Sequence, residues 1–403
     1  MIKRTEYLSK IEPFINKDVV KVLVGMRRSG KSTLLESIRD RLFEKGVPRE
    51  STLTMNFESM RWEEAALSAR SFYDTVLDLV KDVRGRVYLF FDEIQNVPDW
   101  EKAINSLRTD IDCDIYLTGS NSKLLSGELS TLISGRYVSF EVFPFSLSEL
   151  MAASGIDDTQ RAYDIYRIYG GLPFLSHIEY APESSLSYLR DVFNSIVLKD
   201  VIQRHGFRNT DQLERIVSYF ISEVGTTYSA ENIVKVLKEE NRSSSVDSVY
   251  NYLQAASDAL LLSRVKRYDV KGKALLRGGE KVYITDLGLR EAMFGNNATR
   301  LDIVLENLVF VELRRRGYEV FVGKVGTKEI DFIAEKNGKK LYLQVAYLLE
   351  SASTREREFS ALQEIRDNYP KLIVSADVAD WSCDGIRCLN IIDFLISDVW
   401  EML

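Results

Sequence analysis

Histidine is almost missing from this 403-residue chain: His177 and His205 are its two representatives. Cysteine is nearly as scarce, with Cys113, Cys383 and Cys388 and no C-x-x-C pair. This supply argues against a four-ligand zinc site and against histidine-based metal chemistry, and the odd cysteine count argues against a disulfide scaffold. No apolar run approaches the length of a membrane span, and the opening MIKRTEYLSKIEPF lacks a signal-peptide core. The expectation is a cytoplasmic protein with no membrane partner. A net charge of −7 disfavours a protein that coats nucleic acid with its whole surface, while leaving room for a local basic patch. The length exceeds one core and suggests about two to four domains.

What is present begins with VGMRRSGKSTLL, Val24 to Leu35. Gly25, Gly30, Lys31 and Ser32 meet G-x-x-x-x-G-K-[ST] in full, and Ser29 and Thr33 lie within the same phosphate-binding stretch. The preceding VVKVLV reads as a buried strand. The following STLLESIRDRLFEKG puts Leu34, Leu35, Ile38 and Leu42 on one helical face, with Gly46 as its stop. Glycines let backbone N–H groups turn toward phosphate oxygens, and the helix N-terminus adds partial positive charge. Lys31 is expected to reach the β- and γ-phosphates and Ser32 to ligate Mg2+.

RVYLFFDEIQNV supplies the acidic half of such a site. Val87 to Phe91 form an apolar run on a strand expected beside the first, and Asp92 and Glu93 end it. Asp92 is expected to hold Mg2+ through water and Glu93 to act as general base. A third strand, CDIYLTGSNS, ends in the polar stretch Thr118, Gly119, Ser120 and Asn121, of which Ser120 and Asn121 are the candidates to sense the γ-phosphate or position the water; an ordinary strand-to-loop junction is equally open. Arg136, in SGRY, is a candidate phosphate contact, either in its own subunit or in a neighbour's.

GMRRSGKST, FFDEIQ, LTGSNS, SGRY and PFSLSEL occur in this order and at these spacings. The set resembles the prokaryotic AAA-type ATPases of the AAA domain 14 kind, whose members usually carry a DUF4143-type C-terminal region. The resemblance implies ATP binding with Mg2+ and ATP hydrolysis. YRIYGGLPFLSHI further resembles the G-x-P element of signal-transducing ATPases with numerous domains and of related archaeal ATPases. In those families the proline lies near the adenine, so the resemblance places Gly171 and Pro173 at the base pocket. A local role is equally open: a helix stopped by Gly-Gly and restarted after Pro.

From about Asp211 three amphipathic helices are expected, followed by a ribbon, the element order of a winged helix. Ser244, Ser245, Asp247, Ser248, Asn251 and Tyr252 are the expected exposed positions of the third helix. The ribbon from Arg264 to Lys281 carries Arg264, Lys266, Arg267, Lys271, Lys273, Arg277 and Lys281 against Asp269 and Glu280, which makes DNA a possible partner. The remaining third has an α-β-β-β-α-β order and resembles the PD-(D/E)xK nuclease fold. Glu306, Asp331 and Gln344 match its helix, acidic and glutamine positions, but Ala346 stands where that family has its lysine.

The expected fold is α/β. A P-loop NTPase core with a parallel sheet spans 1–150, a helical lid or linker with the GLP motif 151–208, a winged helix 209–296, and a degenerate PD-(D/E)xK nuclease-like domain 297–403. The expected function is an ATP- and Mg2+-dependent switch whose C-terminal half binds DNA or a protein. An ATP-regulated, metal-dependent nuclease is the alternative.

Overall fold

The structure, a computed structural model, describes residues 2–125, 135–207, 209–239, 244–276 and 278–402. The chain divides into two compact units, Met1–Phe143 and Pro144–Leu403.

The first unit is built on a five-stranded parallel sheet. Its strands are β1 (Val20–Val24), β2 (Thr52–Asn56), β3 (Val87–Asp92), β4 (Cys113–Gly119) and β5 (Tyr137–Glu141), in the order β2-β3-β4-β1-β5. Every residue of β1 and β3 is buried. That is why both read as apolar runs rather than as alternating patterns. The helices are α1 (Thr5–Ile11), α2 (Lys31–Glu44), α3 (Ala69–Val80) and α4 (Trp100–Asp110). Leu34, Leu35, Ile38 and Leu42 of α2 pack with Leu23, Tyr88, Phe90 and Tyr116 of the sheet. One expectation is corrected here: the acidic strand β3 is not the neighbour of β1, because β4 lies between them. Strand order is a long-range property that the local apolar pattern does not encode.

The second unit opens with helices α5 (Leu147–Ser154), α6 (Thr159–Tyr169) and α7 (Pro182–Ser195), the last continued by a π-helical stretch, Ile196–Gln203. Three helices follow: α8 (Thr210–Ser222), α9 (Ala230–Glu239) and α10 (Val246–Asp258). Serines start two of them. Ser229 Oγ accepts from Asn232 N, and Ser245 Oγ accepts from Ser248 N. Tyr252, expected on the exposed face of α10, is 7% exposed, and its hydroxyl donates to Gln212. Its ring packs edge-on to Phe207, an apolar partner that draws it inward.

The expected ribbon is split between two sheets. β6 (Leu262–Val265) pairs antiparallel with β9 (Lys281–Ile284) as a separate two-stranded sheet. Between them, β7 (Arg267–Asp269) and β8 (Ala274–Leu275) join the edge of a seven-stranded sheet, in the order β14-β13-β12-β11-β10-β7-β8. Helix α11 (Leu287–Phe294) follows β9. The rest of that sheet is β10 (Glu319–Val325), β11 (Lys328–Lys336), β12 (Lys339–Val345), β13 (Lys371–Ser375) and β14 (Ile386–Asn390). Helix α12 (Leu301–Arg315) precedes β10, α13 (Ala352–Gln363) links β12 to β13, and α14 (Ile391–Ile396) follows β14. The α-β-β-β-α-β order is therefore present. Asn337 and Gly338, both at positive φ, turn β11 into β12.

Candidate functional site

β1, β3 and β4 are parallel, and their C-terminal ends meet at one edge, where Val24 lies opposite Gly119 and Phe91 opposite Leu117. The phosphate loop leaves that edge. Gly30, at φ +94°, ends the loop and caps α2. Gly25 has no room for a side chain, since a Cβ would stand 2.3 Å from Val142 O. Lys31 is buried, and its ammonium donates to the loop's own carbonyls, Gly25 O at 3.0 Å and Met26 O at 3.1 Å. Arg4, absent from the sequence reading, donates to Ser29 O at 3.2 Å and braces the loop from α1's N-terminal flank. Ser29 Oγ is buried and has no partner among the described residues. Ser32 and Thr33 sit in the first turn of α2, Ser32 exposed and Thr33 half-buried.

At the end of β3 the two acids have different surroundings. Asp92 accepts from Thr118 Oγ1 at one oxygen and from Asn56 Nδ2, 3.1 Å away, at the other. Glu93 turns into the left-handed region at φ +54°, with its N–H donating to Thr118 Oγ1 at 3.0 Å. That turn separates the two side chains. The Glu93 carboxylate accepts from the Gln95 amide and from Ser120 Oγ at 3.3 Å, and lies 3.9 Å from Lys31 Nζ. Asn121 is buried beside them in sequence. Thr118, part of the polar end of β4 read from the sequence, orients Asp92 instead. Asn56, which shares that task from the end of β2, was not singled out, because β2 (TLTMN) mixes threonines with apolar residues and its polar end does not stand out.

Lys31, Asp92, Glu93 and Ser120 are thus brought together, and Arg136 is not. Its carbonyl accepts from Val20 N at 2.9 Å, and Tyr137 lies opposite Val20 while Glu141 lies opposite Val24. Arg136 is exposed at the start of β5, the far end of the strand from the loop, and five strand residues span about 16 Å. Within this chain it does not reach the loop. The LIS that precedes Gly135 falls outside the described residues.

Gly171 and Pro173 belong to the second unit. Gly171 N donates to Asp286 Oδ2 at 2.8 Å, and a Cβ on Gly171 would meet Phe145 O at 2.2 Å. Pro173 opens a short 3₁₀ turn, Pro173–Ile178, so the local stop-and-restart role is realised. Asp286 was not identified from the sequence. Burial pushes its carboxyl up to about 6, against the pull of the Gly171 and Gly288 N–H groups.

The basic ribbon is largely paired. Arg264 bonds to Glu280 at 2.9 Å, Arg267 to Glu329 at 2.6 Å, and Lys271 lies 3.4 Å from Glu364. Lys266 and Lys273 are exposed, and Arg277 falls outside the described residues. Lys281 turns inward. Its ammonium lies 2.9 Å from both Glu306 and Glu329 and 3.9 Å from Asp331. Burial works to lower its pKa, but the three carboxylates outweigh this and hold it above the ordinary lysine range. Tyr283 OH also donates to Glu306, at 2.6 Å. Gln344 bridges Asp331 N and Glu358, and Ala346 is buried among Ile330, Ile333, Phe359 and Leu362. Among the described residues no group of three or more His, Cys, Asp or Glu side chains is arranged to hold a metal ion.

The residues at the first unit's sheet edge fit a nucleotide and its magnesium. Ser29 Oγ is an orphaned buried donor on the phosphate loop, and Ser32 and Asp92 are hard oxygen donors of the type Mg2+ takes. Together the sheet order, the loop and the acidic strand end define an AAA-type P-loop ATPase fold. Residues 17–151 match the AAA domain family. An uncharacterized protein of Haemophilus influenzae is 36% identical over 98% of this chain and 99% of its own, and the chain belongs to that protein's family. An uncharacterized protein of Methanocaldococcus jannaschii is 28% identical over 96% of this chain and 89% of its own. Residues 160–300 match a domain of unknown function, DUF8612, where the resemblance implied a DUF4143-type region. A Walker-type ATPase of Pyrococcus abyssi shares the fold at a TM-score of 0.54 and 14% identity, over 73% of this chain and 96% of that one. Among the described residues no helix is long and apolar enough to cross a membrane.

Proposed function

We propose that the first unit hydrolyses ATP and that the protein works as an ATP-driven switch. The observation that carries this is Glu93, held on Gln95 and Ser120 at 3.9 Å from Lys31, beside an Asp92 fixed by Thr118 and Asn56. Lys31 would exchange its loop carbonyls for the β- and γ-phosphates. Ser32 and Asp92 would hold Mg2+, which supplies charge neutralisation on those phosphates when bound. Glu93 takes a proton from water as the water oxygen bonds to the γ-phosphorus, and the bridging bond breaks with its electron pair left on ADP. Ser120 and Asn121 would sense the γ-phosphate, with Arg136 acting only from a neighbouring copy. Gly171 and Pro173 would line the adenine.

For the second unit, with a winged helix formed by α8 to α10 and the β6–β9 pair, the reading is binding without cutting. Buried Ala346 stands where the nuclease family has its lysine, and Lys281 already neutralises the carboxylates at Glu306 and Asp331. The alternative, an ATP-regulated nuclease, is favoured by that same Lys281, which brings an ammonium within 3.9 Å of Asp331. Two assays test the pair of readings. Phosphate release from Mg·ATP by the wild type, lost in Lys31→Ala, supports the switch; undiminished release in that variant means the site is elsewhere. Plasmid incubated with protein, ATP and Mn2+ should remain intact. Cleavage abolished by Asp331→Ala would establish the nuclease instead.

A further inference from the structure

The Glu93 carboxylate is held by a residue two positions on. Gln95 lies in the 3₁₀ turn Ile94–Asn96, and its amide nitrogen donates to Glu93 Oε2. This contact settles which way the amide faces. Turned over, it would set oxygen against carboxylate oxygen, so Oε1 points away from Glu93. That Oε1 is buried and meets no donor among the described residues. It lies over Gly119 at the end of β4, where a Cβ would come within 2.4 Å of it. The strand end is bare where the amide oxygen rests. A buried acceptor without a donor is unfavourable, and this one stands at the edge that the phosphate loop and both acids share.

We propose that Gln95 positions the attacking water of ATP hydrolysis. The proposal rests on the reading of Glu93 as general base. One proton of the water passes to Glu93 as the oxygen bonds to the γ-phosphorus and the bridging oxygen leaves on ADP with the electron pair. The other proton stays on the new phosphate, and until the bond has formed it is donated to Gln95 Oε1. One amide then sets both partners: its nitrogen orients the base and its oxygen orients the nucleophile. The nitrogen's contact and the placement of the oxygen are set before substrate arrives, and fixed alignment is where such residues gain their effect.

Gln95→Met keeps the length of the side chain and removes both contacts; Gln95→Ala serves as a second variant should the first fold poorly by its melting curve. Affinity for a fluorescent ATP analogue and KM should stay within about twofold of wild type, while kcat falls by about 10²-fold. ADP with aluminium fluoride and Mg2+ mimics the planar transferring phosphoryl group with its in-line water. Its affinity should fall by a similar factor, with that of ADP alone unchanged. Wild-type turnover in the variant overturns the proposal. Reduced turnover with undiminished affinity for the fluoride complex also overturns it, because Gln95 would then only brace Glu93. A wild type that binds ATP without hydrolysing it removes the general-base reading itself, and this proposal with it.

Discussion

The ammonium of Lys281 lies 2.9 Å from the carboxylate of Glu306, joining the last strand of the β6–β9 pair to helix α12. Glu329 and Asp331 face the same ammonium. Lys281→Met would leave Glu306 and Asp331 gathered without their cation, while Glu329 keeps Arg267. Removing one partner of a buried ion pair typically destabilises by about 3–5 kcal/mol. Urea denaturation of the second unit should show a loss of that order. A midpoint shift of less than a tenth of a molar, with unchanged slope, would mean the lysine is incidental.

A second buried pair lies in the first unit. Lys21 and Asp114 are both fully buried and bonded across β1 and β4, and Asp114 also accepts from Asn16 N and Tyr116 OH. Lys21→Met should destabilise by about 3–5 kcal/mol because it strands the carboxylate. Lys21→Met combined with Asp114→Leu should recover much of the loss, as an apolar pair replaces the ionic one. Additive losses in the double variant would show that the two residues do not act on one another.

Asp286 makes stability depend on pH with a known sign. Its folded pKa is raised to about 6 by burial, above the unfolded value of about 3.9. Its contribution is therefore complete below about pH 4 and is lost as pH rises through 6. Two units correspond to about 3 kcal/mol for a fully buried group. Chemical denaturation at pH 5 and pH 7 should show the wild type gaining less stability over this interval than Asp286→Asn does. Parallel changes in the two proteins would assign the shift elsewhere.

If DNA is the partner, the pairing of the ribbon divides its basic residues. Lys266→Gln with Lys273→Gln should reduce the log–log salt slope of duplex binding by about 1.8, two phosphate contacts, without changing stability. Arg267→Gln should instead lower stability, through Glu329, and leave the slope alone. Fluorescence anisotropy across a salt series measures the first and denaturation the second. Equal slopes in all variants would remove the ribbon from the interface.

Local features were legible in the sequence, and contacts between distant segments were not. The loop from Gly25 to Ser32 and the run from Val87 to Glu93 declare themselves because a buried parallel strand is apolar at nearly every position and its polar end is abrupt. The Asn337-Gly338 turn is readable because few other residues accept two positive φ angles in succession. Lys281 looked like one more charge on a basic ribbon. Its partners lie 25 to 50 residues further along, on a helix and on another strand, and only the pairing of β6 with β9 turns it inward. The in-chain half of the Arg136 reading fails for the same reason: its register against Val20, not its sequence context, decides which end of the sheet it occupies.

The most direct measurement is the identity of the nucleotide held by Glu93→Gln. The variant and the wild type are incubated with Mg·ATP, separated from free nucleotide, quenched in acid and analysed. With Glu93 as the base, the variant should retain ATP while the wild type retains ADP or nothing, and steady-state turnover in the variant should fall by about 10²-fold or more. ADP on the variant, formed at the wild-type rate, would contradict the assignment of this edge of the sheet as a hydrolytic site.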